Sequence, residues 1–134
     1  MNTKNRNEAR PGVAGGESEG RTLRDVAELI RAEIVEESER LDEPFEMVGA
    51  SDLMSDVLAF MKPGSLLLTG LKNPQAVRTA EMADLIGIVF VRGRSPDPQT
   101  VELARTKGIP LLTTPLTMFE ACGRLHVAGF KPCF

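Results

Sequence analysis

Three copies of one pattern fill the second half of the chain, and this repetition restricts the fold more than any other feature. Each copy is a short apolar run followed by a longer segment with helical character, and the copies begin about 22 residues apart. The apolar runs are SLLLTG, GIVFVRG and IPLLTT, which start at Ser65, Gly87 and Ile109. Short apolar strands that alternate with helices are typical of a parallel sheet with right-handed crossovers. We therefore expect an α/β fold of three layers, with a mainly parallel sheet built from consecutive βα units.

A polar residue followed by proline opens each of the three helical segments. The pairs are Asn73-Pro74, Ser95-Pro96 and Thr114-Pro115. Proline at the first helical position is a strong start signal, because its missing N–H would have no helical acceptor in any case. Asn73, Ser95 and Thr114 are therefore predicted to cap the three helices.

The first half of the chain is less regular. Thr22 stands where a helix cap belongs, and the apolar residues after it recur at helical spacing. The segment AEIVEESERL, residues 32–41, either continues this helix or contains a short strand over residues 33–37, and local propensity favours the helix. FEMVGA, residues 45–50, alternates enough between apolar and other residues to be predicted as a strand.

Two aspartates one helical turn apart, Asp52 and Asp56, follow in the segment GASDLMSDVLAF. Paired carboxylates can hold a metal or move a proton, but a metal would need further ligands that the sequence does not indicate. The simpler interpretation is an amphipathic helix over residues 52–61, capped by Ser51 or Asp52, with Asp56 on its polar face, where it is either solvated or in contact with a partner. A carboxylate in the first turn stabilises a helix by about 0.3–1 kcal/mol. The methionine-containing apolar side of this helix is either core or part of an interface.

Composition argues against several classes of function. A formal net charge of −3 and the absence of Trp and Tyr are unfavourable for nucleic-acid binding. No apolar run reaches the roughly 18 residues that cross a membrane. The two cysteines, Cys122 and Cys133, are too few for an iron–sulfur cluster and fit a reducing compartment. We therefore expect a cytoplasmic protein with no cofactor, no nucleic-acid partner and no membrane association.

The chain is predicted to be one domain with two short ends. Residues 1–20 are polar and rich in glycine, so we predict a flexible tail there. Residues 21–129 contain all the predicted helices and strands and form a single α/β domain. Residues 130–134 are predicted to be a C-terminal tail in which Cys133 is mobile. Cys122 lies on an apolar helical stripe, which predicts a buried thiol.

A ligand site is expected where the strands end, because ligands of open parallel sheets bind beyond the carboxyl ends of the strands. The helix N-termini at this edge offer free N–H groups, and hydroxyls and cations, Arg92 among them, lie nearby in sequence. These groups would suit a phosphate or a carboxylate. The alternative is that they are only caps and turn residues. The candidate residues are Thr69, Gly70, Lys72, Asn73, Gly93, Arg94, Ser95, Thr113, Thr114 and Thr117.

Signals for catalysis are weak in this sequence. It has neither a GxxxxGK[ST] phosphate loop nor a GxGxxG fingerprint. His126 is the only histidine, and it stands late in a predicted helix with no acidic residue positioned by sequence to pair with it. We therefore expect no catalytic residues and no metal ligands.

Three segments follow one another along the chain: GASDLMSDVLA, then GSLLLTG, then ADLIGIVFVRGRSPDPQTVELARTKGIPLLTTPLTMFEACGRL. Together they resemble a DRTGG domain. The resemblance covers residues 21 to about 129 and is greatest to the small stand-alone bacterial members. It implies a fold similar to the N-terminal domain of HPr kinase and a regulatory or dimerising role. It also implies a partner of the hydrogenase type or an ATPase-like regulatory protein, because such proteins are often encoded beside stand-alone members.

The loops that give the family its name are altered here. GLKN, residues 70–73, stands where Gly-Asp-Arg often occurs, and VRGR, residues 91–94, stands where Thr-Gly-Gly often occurs. Only Gly70 and Gly93 are kept. The resemblance also favours a strand around Ile34 and Val35, against the local preference for a helix, and we follow the resemblance there.

These observations support three hypotheses of different classes. The first is a non-catalytic regulatory module, a homodimer that docks on a redox or signalling partner. The second is a sensor domain that binds a nucleotide or another phosphate compound at the strand ends. The third, a phosphotransfer enzyme, requires a general base that the sequence does not identify.

Overall fold

The structure is a computed structural model that describes residues 21–134 of the 134-residue chain. The predicted tail at residues 1–20 lies outside the described residues. The helices are α1 (Leu23–Leu29), α2 (Met54–Phe60), α3 (Pro74–Met82), α4 (Pro98–Lys107) and α5 (Met118–Val127). A short 3-10 helix spans Glu39–Asp42. The strands are β1 (Glu33–Glu36), β2 (Met47–Ala50), β3 (Leu66–Thr69), β4 (Gly87–Phe90), β5 (Leu111–Thr113) and β6 (Lys131–Pro132).

The strands form one sheet in the order β1-β5-β4-β3-β2-β6. Every neighbouring pair is parallel except β1 and β5, which pair antiparallel with an irregularity between Ile34 and Glu36. The predicted α/β fold with a mainly parallel sheet is confirmed. Residues 33–36 are a strand, so the local preference for a helix was wrong there. Pairing with β5 overrides the helix propensity of this glutamate-rich segment.

Apolar side chains fill both faces of the sheet and give the fold its three layers. Along β4, Val89 packs in a core cluster with α1 and α5, whereas Ile88 and Phe90 pack in a second cluster with α2, α3 and α4. Strands covered on both faces need near-continuous apolar runs. The three runs that repeat in the sequence are therefore the central strands.

Each of three polar-proline pairs was predicted to start a helix, and only one of them does. Asn73 caps α3 by accepting a 3.1 Å hydrogen bond from the N–H of Gln75. The next helix instead begins at Pro98 with Asp97 as its cap, two residues beyond Ser95. The last helix is capped by Thr117, whose hydroxyl accepts from the N–H of Glu120 at 3.2 Å. Thr114 lies before that helix and is fully buried.

The helix predicted over residues 52–61 begins later than expected. Its cap position is Leu53, because the N–H of Leu53 donates to the hydroxyl of Ser51 at 3.0 Å and forms a turn before the helix. Asp52 therefore does not cap α2. Met54 and Met61 are core residues, so the methionines are not part of an exposed interface. Other apolar residues of the predicted stripe, Leu53, Leu58 and Phe60, are exposed.

The predicted C-terminal tail at residues 130–134 is part of the fold. β6 extends the sheet beyond β2, and the ring of Phe130 lies 5.2 Å from that of Phe45. Cys133 is buried rather than mobile, and its thiol donates to the hydroxyl of Ser65 at 2.8 Å. Strand pairing and burial of this short segment could not be inferred from KPCF, because proline and lysine give it no strand character of its own.

Two further properties bear on function. Cys122 is half-buried in α5 rather than fully buried, and burial raises the pKa of its thiol, which disfavours the reactive thiolate at neutral pH. None of the helices within residues 21–134 has the length and apolar character needed to cross a membrane.

Candidate functional site

The carboxyl ends of the central strands lie side by side, because β3, β4 and β5 are parallel neighbours in register. Thr69 pairs with Phe90, and Phe90 pairs with Thr113. The loops that follow these three strands therefore meet at one edge of the sheet, as the sequence predicted. The segment after β2 joins them there, and it carries Asp52.

Asp52 connects two of these loops. Its Oδ1 accepts a 2.9 Å hydrogen bond from the hydroxyl of Thr69 and a 2.7 Å hydrogen bond from the N–H of Gly70. The hydroxyl of Thr69 is buried and accepts from the N–H of Leu71 at 3.1 Å. These contacts fix the carboxylate in place. Its second oxygen, Oδ2, has no hydrogen bond within residues 21–134.

A tight turn after β4 carries two arginines. Arg92 and Gly93 both have positive φ, at 61° and 68°, and the N–H of Arg94 closes the turn on the carbonyl of Val91 at 3.3 Å. The N–H of Arg92 donates to Leu116 and that of Gly93 to Thr114, each at 2.7 Å. A left-handed arginine costs roughly 1–2 kcal/mol, so the surrounding bonds must hold it there.

Asp52, Gly70, Arg92 and Arg94 line a cleft of about 240 Å³, together with Leu71, Val91 and Met118. A Cβ placed on Gly70 would lie 3.6 Å from Oδ1 of Asp52 and 3.7 Å from Nε of Arg94, so the two charged groups flank this glycine. Neither arginine side chain makes a hydrogen bond or ion pair with any other described residue. Two unpaired guanidinium groups against one carboxylate give the cleft a net positive charge that suits an anion.

The remaining predicted site residues have structural roles. Lys72 contacts the start of α4. Its Nζ lies 4.0 Å from Oδ1 of Asp97, and its backbone carbonyl accepts a 2.8 Å hydrogen bond from the hydroxyl of Thr100. Thr113 donates to the carbonyl of Arg94 at 3.0 Å and so holds the arginine turn. Asn73 and Thr117 are helix caps, Thr114 is buried, and Ser95 is exposed on the loop before α4.

Only Gly70 and Arg94 among the residues that line the cleft were selected from the sequence. Asp52 was interpreted as a helix cap, and its bonds to Thr69 and Gly70 cross 17 and 18 positions of sequence. Arg92 was noted beside the strand end but not selected, although the pattern Arg-Gly-Arg after a buried strand could have indicated a paired cationic turn. Met118 gave no signal, because an apolar residue in the first turn of a helix is ordinary.

Other candidate chemistry lies elsewhere. His126 is exposed on α5, where it lines a groove toward β2 and β6 together with Cys122, and neither residue lines the cleft. Asp56 is half-buried in the first turn of α2. In the part of the chain that the structure describes, no group of three or more His, Cys, Asp or Glu residues is arranged to hold a metal ion.

Comparisons with known proteins agree with this fold. The family model for the DRTGG domain matches residues 25–128. No curated protein matches the sequence. Among solved structures, the chain is similar to the CBS and DRTGG domains of the regulatory region of a pyrophosphatase from Clostridium perfringens, complexed with its activator diadenosine tetraphosphate. The identity is 21% and the TM-score 0.65, over 82% of this chain and 47% of that chain, so this chain spans about half of that region.

Proposed function

The chain belongs to the DRTGG domain family, and from this membership we propose that it is a non-catalytic regulatory domain of the cytoplasm that responds to an anionic ligand. The observation that carries the proposal is the cleft at the strand ends, where Arg92 and Arg94 stand unpaired among the described residues. Guanidinium groups bind phosphate through paired, charge-assisted hydrogen bonds. The similar pyrophosphatase region was solved with a nucleotide activator, which makes nucleotides the first ligands to test.

Replacing Arg94 with glutamine is expected to weaken binding of a phosphate compound by about tenfold or more. A hydrogen bond to a charged group contributes about 1.5–3 kcal/mol, and the variant loses the charge while keeping a polar side chain. Calorimetric titration with ATP, diadenosine tetraphosphate and pyrophosphate would measure the loss. Arg78→Gln is the matched control, because Arg78 is exposed on α3 and does not line the cleft. If none of these anions binds, the ligand proposal is refuted.

A second role, self-association as a homodimer, is supported by the exposed surface of α5. Phe119 and Val127 are 90% and 87% exposed, and Gly123 lies between them on the same side of the helix. With Leu29 they line an open, largely apolar depression of about 840 Å³, which we call the α5 face. A contiguous exposed apolar patch, unlike a single exposed side chain, is typical of a surface that another protein covers.

The α5 face is complementary to itself, which favours a second copy of this chain as its occupant. Phe119 stands four residues before Gly123 and Val127 four residues after it. Two antiparallel α5 helices that cross at Gly123 would therefore place each Phe119 against the Val127 of the second copy. The same crossing would bring the acidic Glu120 close to His126 of the second copy, and the missing side chain of Gly123 would permit close approach.

Val127→Asp is expected to convert the dimer into a monomer at micromolar concentrations, because each interface would bury two unpaired carboxylates. Light scattering coupled to size exclusion would measure the mass. Met82→Asp serves as a control, since Met82 is also exposed, at 69%, but ends a different helix, α3. A wild-type protein that stays monomeric at high micromolar concentration would contradict this role.

The resemblance adds a hydrogenase-type or ATPase-like regulatory protein as the proposed recipient of the signal. Co-purification with the products of neighbouring genes, with and without ATP, would test it. The phosphotransfer alternative gains no support from the geometry, because His126 does not line the cleft.

A further inference from the structure

We infer that the ligand of the cleft carries free hydroxyls beside a phosphate, as the ribose phosphate of a nucleotide does. Asp52 would accept hydrogen bonds from the hydroxyls, and Arg92 and Arg94 would hold the phosphate. This inference rests on the proposed anion-binding function and specifies its ligand class.

The carboxylate of Asp52 is the reason that a simple anion does not fit the site well. It lies across Gly70 from Arg94 and would repel an inorganic phosphate placed between them. Its Oδ1 is already used by Thr69 and Gly70, whereas Oδ2 is free to accept within the described residues. A carboxylate can only accept hydrogen bonds when it is ionised, so its ligand must donate them. In dinucleotide-binding sheets, an acidic residue at a strand end binds ribose hydroxyls by the same chemistry.

The size of the cleft limits how much of the ligand it encloses. Its volume of about 240 Å³ is below the roughly 300–1,000 Å³ typical of pockets that bury a whole drug-sized ligand. A ribose phosphate is small enough to enter, and a nucleobase would remain outside. Gly70 keeps the space between Asp52 and Arg94 open, since a Cβ there would lie within ordinary contact distance of both residues.

The test compares ATP with 2′,3′-dideoxy-ATP by calorimetric titration of the full chain. EDTA is included so that no divalent cation can bridge Asp52 to the phosphates. The wild type is expected to bind ATP about tenfold more tightly than the dideoxy compound, which lacks the two donors. For Arg94→Gln, affinity for both compounds should fall by a similar factor.

The variant Asp52→Asn tests the contact with the ligand hydroxyls while keeping the hydrogen bonds of residue 52 to the neighbouring loop. Its amide oxygen can still accept from Thr69 and Gly70, while an NH₂ group replaces the free oxygen. We expect this variant to unfold slightly below the wild-type temperature, because a neutral amide oxygen accepts more weakly than a carboxylate, and to bind ATP no better than the dideoxy compound. Gly70→Ala should keep the unfolding temperature of the wild type, because Gly70 has no positive φ, and should weaken the binding of both compounds by filling the gap.

The outcomes separate this inference from the proposed function. Equal binding of ATP and dideoxy-ATP, lost in Arg94→Gln, would overturn the hydroxyl contact and leave the anion site standing. Binding of pyrophosphate but not of ATP would have the same meaning. If no phosphate compound binds, both proposals fail. A preference for ATP that disappears only in Asp52→Asn would establish the role of Asp52.

Discussion

The substitution Thr114→Val is expected to lower the free energy of unfolding by about 3 kcal/mol. Thr114 is fully buried, and its hydroxyl donates to the carbonyl of Ile30 at 2.5 Å while accepting from the N–H of Leu116 at 3.2 Å. Valine has nearly the same shape but can form neither bond. The change would leave a buried carbonyl and a buried N–H without partners, and each such group costs about 1–3 kcal/mol.

Equilibrium unfolding of the full chain in urea would measure this loss. Thr106→Val is the matched control, because the hydroxyl of Thr106 makes an exposed bond to the carbonyl of Glu102 in α4, and its loss should cost at most about 0.5 kcal/mol. Thr114→Val should also keep its affinity for ATP, since Thr114 does not line the cleft. Equal midpoints for the two variants would contradict the predicted loss of stability, and a selective loss of ATP binding by Thr114→Val would show that the hydroxyl serves a ligand.

The structural role of Thr114 could not be predicted from the sequence, although the overall fold could. The architecture was predictable because apolar runs and their spacing are local signals of strands and helices. The helix caps were less predictable, since Ser95-Pro96 and Thr114-Pro115 have the same local pattern as Asn73-Pro74. What distinguishes Thr114 is its bond to Ile30, 84 positions away in the sequence. Ser95-Pro96 fails as a helix start for a different reason. A later pair, Asp97-Pro98, competes with it and forms the actual start of α4.

The candidate site was predicted in position but not in composition. The rule that ligands bind at the carboxyl ends of parallel strands brought the correct three loops together. It could not indicate which side chains are already occupied by the fold. Most of the predicted hydroxyls hold turns or caps, and Asp52 enters the site only because Thr69 and Gly70 orient it. Hydrogen bonds between distant segments decide these assignments, and one sequence does not reveal them.

Phe90→Ala is expected to lower the free energy of unfolding by about 3–5 kcal/mol, the range for removal of a buried aromatic ring. Phe90 is fully buried at the end of β4, in the cluster shared with α2, α3 and α4. The loss would be a large part of the 5–15 kcal/mol that stabilises a typical domain. Urea unfolding would measure it, and Phe90→Leu, with a smaller loss, provides a readout if the alanine variant does not fold.

The same substitution at Phe119 is expected to have the opposite consequences. Because Phe119 is 90% exposed, Phe119→Ala should change the free energy of unfolding of the monomer by at most about 0.5 kcal/mol. It should nevertheless raise the dissociation constant of the dimer, since the ring would be buried against Val127 of the second copy. Sedimentation across a concentration series would measure that constant. Self-association that is weakened equally by Phe90→Leu and Phe119→Ala would mean that it depends on overall stability, and the α5 face would lose its proposed role.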